Sequence, residues 1–153
     1  MYKICKECHA IFDGGKWFYD KKLEEKLKRH KEAEETLCTA CKRIRDRIAC
    51  GIVYLDADII KDKEDEIIKL IRREEEVEKS HNHLSRILDI YRDGDRLVVE
   101  TINQQLAVHI GKKMKKMYGG HLEITGGLSG HHSRGEDDRE EVIVRWKMGG
   151  DTR

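Results

Sequence analysis

Two cysteine couples constrain this chain more than anything else in it: Cys5-Lys6-Glu7-Cys8 and Cys38-Thr39-Ala40-Cys41, with 29 residues between Cys8 and Cys38. A C-x2-C spacing lets a tight backbone knuckle turn two sulfurs toward one point, and two such couples supply the four thiolates of a tetrahedral zinc site. The pattern predicts zinc held by Cys5, Cys8, Cys38 and Cys41. A closed four-thiolate site has no open coordination position, so it points to a structural role rather than to chemistry at the metal. Cys5-x2-Cys8-His9 is also the attachment signature of c-type haem. Haem leaves the second couple unexplained, and no apolar export segment precedes the first. His9 is expected either to donate to a sulfur or simply to begin a strand, and Cys50 to be a small buried filler.

The 153 residues suffice for a small zinc module and a compact companion domain. Charged residues make up 40% against 38% hydrophobic, so the N-terminal unit needs the metal as a staple. The net charge is only +1 but uneven: residues 1–50 carry +4, 51–100 carry −5 and 101–153 carry +2. No stretch approaches the ~20 apolar residues of a membrane span, and paired cysteines that bind metal belong to a reducing compartment, so a cytoplasmic location is expected.

Along the chain, His9–Phe12 and Lys16–Tyr19 flank Asp13-Gly14-Gly15 and read as a hairpin. Asp20 should cap a helical insert to about Glu35, with Leu23, Leu27 and Ala33 on its apolar face. Lys42 to Cys50 reads as a basic helix stopped by Gly51. A knuckle and hairpin followed by a helix whose first turn carries the second couple is the order of a treble-clef or zinc-ribbon module, placed at 1–51.

From Gly51 the pattern changes. Ile52 to Ile60 reads as a strand, Asp62 to Lys79 as a helix burying Ile67, Ile68, Leu70, Ile71 and Val77. Ile87–Tyr91 and Leu97–Thr101 form a hairpin around Asp93-Gly94. Thr101 with Gln104 reads as a capping box for a helix 102–118, whose stripe is Ile102, Leu106, Ile110, Met114 and Met117. Strands follow at 121–125 and 142–147. The order β-α-β-β-α-β-β predicts an α+β domain at 52–148, a ferredoxin-like sandwich with one extra strand and both helices on one face. A polar, glycine-rich flexible loop is expected at 126–138, containing His131 and His132, and a short tail at 149–153.

Cations on a rigid element collect phosphates, which singles out Lys42, Arg43, Arg45 and Arg47 on the metal-braced helix as RNA contacts. Lys112, Lys113, Lys115 and Lys116 repeat the theme, although a lysine-rich face is also an ordinary solubility device. Trp17, Phe18, Tyr19 and Trp146 can stack on unpaired bases or serve as core. The acidic run Glu74, Glu75, Glu76 and Glu78 repels phosphate and suits a basic protein partner instead. His81-Asn82-His83 matches a nuclease signature only as a string, and no phosphate loop, nucleophile elbow or dinucleotide fingerprint is present. The expectation is a protein that is not an enzyme.

Cys5-x2-Cys8-His9-Ala10 with Gly15 and Trp17, Cys38-x2-Cys41 with Arg43-Ile44 and Asp46, Glu66-Ile67, Leu70-Ile71-Arg72 and Glu74-Glu75 resemble a small family of prokaryotic zinc-ribbon proteins. Thr101, Leu106-Ala107, Ile110-Gly111, Tyr118, Gly120, Leu122 and Trp146 extend the resemblance over nearly the whole chain. More distantly, the double C-x2-C start and a Leu-Ala-x2-Ile helix leading into a Gly-x-Leu strand look like archaeal relatives of the nonsense-mediated-decay and large-subunit export adaptor family. Those proteins bind the large ribosomal subunit and carry two four-cysteine sites, where this chain has one. The resemblance implies an RNA-rich, ribosomal partner. A protein-interaction adaptor and a thiolate-based metal or redox sensor are the competing readings.

Overall fold

The computed structural model describes residues 2–126 and 141–148. The expected flexible loop, with His131 and His132, lies almost wholly outside the described residues, as does the 149–153 tail. The N-terminal part comprises β1 (Tyr2–Cys5), β2 (Ile11–Phe12), β3 (Trp17–Phe18), α1 (Lys21–His30), β4 (Ala33–Thr36) and α2 (Thr39–Arg45). Its sheet has the order β3-β2-β1-β4.

The expected hairpin is β2–β3, closed by Asp13, whose carboxylate accepts from the Gly15 and Lys16 amides at 2.9 and 3.0 Å. Asp20 caps α1 as expected, accepting from Leu23 N at 3.1 Å. That helix stops at His30 rather than near Glu35. Lys31 takes a left-handed conformation (φ 53°), and the Glu32 amide folds back on Leu27 O in the manner of a helix stop. The residues that follow, Ala-Glu-Glu-Thr, become β4 and run parallel to β1 with Cys5 opposite Thr36. The pairing brings the second cysteine couple alongside the first. Local propensity disfavours that strand, and the neighbouring strand overrides it.

The second sheet is built from β5 (Gly51–Ala57), α3 (Ile59–Lys79), β6 (Ile87–Asp93), β7 (Arg96–Thr101), α4 (Gln104–Tyr118), β8 (His121–Gly126) and β9 (Val142–Met148). The element order is the expected one. The sheet order is β6-β7-β5-β9-β8, with β9 parallel to β5 and antiparallel to β8. The extra strand of the expected sandwich is therefore not an added edge but lies inside the sheet, between β5 and β8. Alternate residues of β5 and β9, among them Val53, Leu55, Val144 and Trp146, pack with Ile67, Leu70 and Ile71 of α3 and Leu106, Ile110 and Met114 of α4 in one core.

Several boundaries differ from the sequence reading. The basic helix α2 ends at Arg45, because Arg47 adopts φ 55° and the Ile48 amide returns to Arg43 O. Helix α3 begins at Ile59, with non-helical dihedrals at Lys63 just past the expected cap Asp62. Asn103, not Thr101, caps α4 by accepting from Leu106 N, since Thr101 is still in β7 opposite Gly51. Two stripe residues are misplaced as well. Met117 is 54% exposed, and Ile102 leaves the main core for a cluster around the cysteines. On α3, Val77 is 46% exposed while Glu74 is buried.

Burial works to raise the Glu74 pKa, but a 2.6 Å hydrogen bond with His109 Nε2 and the charge of Lys113 outweigh it, and its carboxyl sits below the ordinary range. The hydrogen bond to His109 and the ion pair with Lys113 add polar contacts to the apolar packing between α3 and α4.

Gly51, like Gly111 on α4, marks a place where helix and sheet approach too closely for a Cβ. A Cβ on Gly51 would lie 2.5 Å from Ala107 Cβ and 2.6 Å from Thr101 Oγ1. Gly51→Ala is expected to cost about 1–3 kcal/mol in denaturant unfolding, as overpacking does, whereas Gly15→Ala on the exposed turn should change it by less than about 0.5 kcal/mol.

Candidate metal centre

Each cysteine is placed by a defined local structure. Cys5 ends β1, and its amide donates to Ala10 O at 2.8 Å while its carbonyl accepts from His9 N at 3.0 Å, closing the knuckle. His9 makes that turn by adopting φ 69°. Its side chain points away from the sulfurs to Glu24 Oε2 at 2.8 Å, where it ties the knuckle to α1. His9 therefore neither donates to a sulfur nor begins a strand. Cys38 is the N-cap of α2 and accepts from Cys41 N at 3.3 Å, so the second couple opens a helix as the spacing required.

The four sulfurs of Cys5, Cys8, Cys38 and Cys41 lie within 4.8 Å of one another, and Cys5, Cys38 and Cys41 are buried. Cys8 Sγ and Cys38 Sγ are 3.7 Å apart, close to the edge of about 3.8 Å that a tetrahedron with metal–sulfur bonds of ~2.3 Å would have. Backbone amides of Glu7, Cys8 and Cys38 point at Cys5 Sγ at 3.4, 3.5 and 3.3 Å. Cys50 stands outside this group, buried at 2% exposure, as expected for a filler.

A second observation makes the same demand. Arg86, from the segment entering β6, is only 8% exposed, and its Nη2 lies 3.7 Å from Cys41 Sγ. Its Nε is buried with no hydrogen-bond partner. A guanidinium is always charged, and burying one is costly unless opposite charge faces it. Burial acts against the charge, but Tyr19, Cys8 and Cys41 more than compensate and hold its pKa above the ordinary value. Four thiolates around a divalent ion carry a net charge of about −2, which Arg86 would answer. The donor set, the spacing and the buried cation all fit a metal ion.

The thiols titrate as a coupled set. The hydrogen bond from Cys38 lowers the Cys8 pKa to about 3 against the opposing effect of burial, with Tyr19 OH donating to Cys8 Sγ at 3.6 Å. The same bond and burial push Cys38 far up, and burial lifts Cys41 to about 12. Metal uptake must therefore displace at least the two protons held on Cys38 and Cys41.

The proposed RNA contacts divide. Lys42 is exposed, whereas Arg43 donates to Ile102 O at 3.4 Å, and Arg45 pairs with Asp46 at 3.0 Å. Arg47 lies beyond the helix and pairs with Asp89 at 3.5 Å. Lys112, Lys115 and Lys116 are exposed on α4, while Lys113 reaches Glu74 at 3.6 Å. Trp146 is fully buried, its indole N–H donating to Gly119 O at 2.7 Å, so it belongs to the core. Trp17 is half-buried against the cysteine cluster, its ring centroid 5.8 Å from that of His83. Burial and the Arg86 charge lower the His83 pKa, which leaves a neutral imidazole on Thr39 Oγ1 at 3.0 Å.

The acidic run offers no free face. Glu74 and Glu78 both face His109, Glu75 accepts from Ile87 N at 2.8 Å, and Glu76 pairs with Lys79 at 3.2 Å. Arg86 is the site residue that the sequence reading missed, and Tyr19, expected to stack on a base or serve as core, instead donates to Cys8 Sγ. The only trace of Arg86 is a lone cation at the head of an apolar strand. No helix among the described residues is long and apolar enough to cross a membrane. The chain matches no protein-family model and no curated protein.

Cobalt(II) titration should give thiolate-to-metal bands at one ion per chain. Serine at any of Cys5, Cys8, Cys38 or Cys41 should remove them, while Cys50→Ala retains them. Affinity should rise with pH, because protons leave Cys38 and Cys41 on binding, and a pH-independent affinity would contradict the arrangement. Arg86→Leu is expected to weaken metal affinity about 10–100-fold, with Arg86→Lys recovering part of the loss, read by competition with a chromophoric chelator.

Proposed function

We propose that this chain is a non-enzymatic, zinc-stabilised RNA-binding protein that works on a ribosomal particle. Zinc is the ion that four thiolates in tetrahedral spacing suit best among those abundant in cells, and a site filled by four sulfurs serves the fold rather than a reaction. The observation that carries the RNA reading is a set of lysines on braced helices that pair with no carboxylate among the described residues. Lys42 stands exposed on α2, whose first turn is fixed by the sulfur cluster, and Lys112, Lys115 and Lys116 stand exposed on α4, whose other face is the core. Cations without an internal partner on a rigid support give up little on meeting phosphate.

A near-neutral chain with local basic patches suits a large RNA-rich particle better than free duplex, and the resemblance noted above points the same way. Against the adaptor reading, Glu74, Glu75, Glu76 and Glu78 each have a partner within the fold.

Sedimentation of tagged protein from lysate is the direct test. Migration with a ribosomal particle, lost after ribonuclease or at raised salt, is the expected result. Protein that stays at the top of the gradient under every condition would overturn the ribosomal assignment. With purified single-stranded RNA, replacing Lys42, Lys112, Lys115 and Lys116 by Ala should lower the slope of log affinity against log salt by roughly 3, at ~0.7 per phosphate contact. An unchanged slope would take these lysines out of the interface.

A further inference from the structure

Beside the sulfur cluster lies an open groove of about 420 Å³ lined by Lys6, Glu7, Leu37, Cys41, Ile44 and Arg45. Its walls come from two rigid pieces, the first cysteine knuckle and helix α2. Leu37 and Ile44 are half-buried and give it aliphatic sides, and Cys41, 9% exposed, forms its floor. Lys6, Glu7 and Arg45 are exposed at the rim. Arg45 is held only by Asp46, in a pair of which both members are more than half exposed, so an incoming anion can replace that contact.

Resting on the RNA reading above, we propose that this groove takes one nucleotide of single-stranded RNA base-first. The base lies between Leu37 and Ile44, its exocyclic amino group donates to Glu7, and the flanking phosphates lie on Lys6 and Arg45. The mixed signs of the rim decide the ligand. A phosphate alone leaves Glu7 opposed, and an aliphatic side chain leaves all three charges unused. A nucleotide carries an apolar face, a donor edge and an anion within one residue. A carboxylate that accepts from the amino group of cytosine is a known base-edge pairing, and adenine and guanine also carry exocyclic amino groups, whereas uracil presents carbonyl oxygens on both sides of its single N3–H. The space is ample for one base, and Arg86, which does not line the groove, keeps its contact with Cys41 Sγ at 3.7 Å.

The test uses the full metal-loaded chain and three labelled octamers: oligocytidine, oligouridine and an abasic ribose-phosphate chain, read by fluorescence anisotropy. Cytidine should bind about tenfold tighter than uridine, the discrimination that one well-made base-edge contact supplies, with the abasic chain no better than uridine. Glu7→Ala should bring the cytidine-to-uridine ratio to within twofold, with metal content and salt slope unchanged. Equal binding of all three octamers, or a preference that survives Glu7→Ala, would overturn the base slot while leaving RNA binding in place. Failure of every octamer to bind, together with sedimentation indifferent to ribonuclease, would overturn both.

Discussion

The guanidinium of Arg86 is buried with sulfur for its nearest acceptor, and a charge in that position is stable only while the cluster opposite it is negative. The contact joins the two sheets of the molecule. Around it, Ile102, Leu84 and Leu88 from the larger sheet and its approaches pack with Cys5, Ala10, Cys38 and Cys41 in one apolar cluster. Arg43 donates to Ile102 O, Cys50 N donates to Thr101 O, and Lys79 lies 5.2 Å over the Tyr19 ring. The metal module has almost no core of its own beyond Ile4, Ile11 and Leu27. What holds it in place is the sulfur cluster and the surface against which that cluster is pressed.

The same economy governs the charges. In a chain that is 40% charged, several of the cations expected to face outward are answered locally instead. Arg43 is used to join the module to β7 and α4, and Lys113 to steady the Glu74–His109 clamp. The cations that remain outward are fewer than the basic runs in the sequence suggested. They stand on helices that cannot move independently of the core, which makes them better placed to recognise a fixed array of phosphates than a flexible lysine tract would be.

Much of this was legible in the sequence because it rests on local chemistry. Cysteine spacing named the four sulfurs, Asp20 and Gly94 marked a cap and a turn, and the period of Leu106, Ile110 and Met114 gave the buried side of α4. What was not legible depends on residues far apart in the chain. Strand β4 has only Thr36 to favour a strand, against Ala33, Glu34 and Glu35, and it pairs along its whole length with β1. Ile102 looked like one more member of a helical stripe until β7 carried it to the cysteines. Glu74 looked like part of a solvated acidic face until His109 met it across the helix pair. Arg86 carried no local pattern at all, since the reason for its burial lies 45 positions earlier at Cys41.

The position of β9 also sets the order in which this chain can assemble. Gly51 pairs with Val142, 91 positions later, so the centre of the larger sheet is missing until the last strand arrives. Before then β6, β7 and β5 form one half-sheet, and β8 has no strand beside it. Closing so long a loop is slow compared with forming a hairpin, and two unpaired strand edges stay open in the meantime. During synthesis the cysteine knuckles leave the ribosome before the strands of the larger sheet. Leu84, Arg86, Leu88 and Ile102, which form the surface under the knuckles, precede β9 in the chain, so the cysteine cluster can be seated on its floor before the sheet beyond that floor is closed.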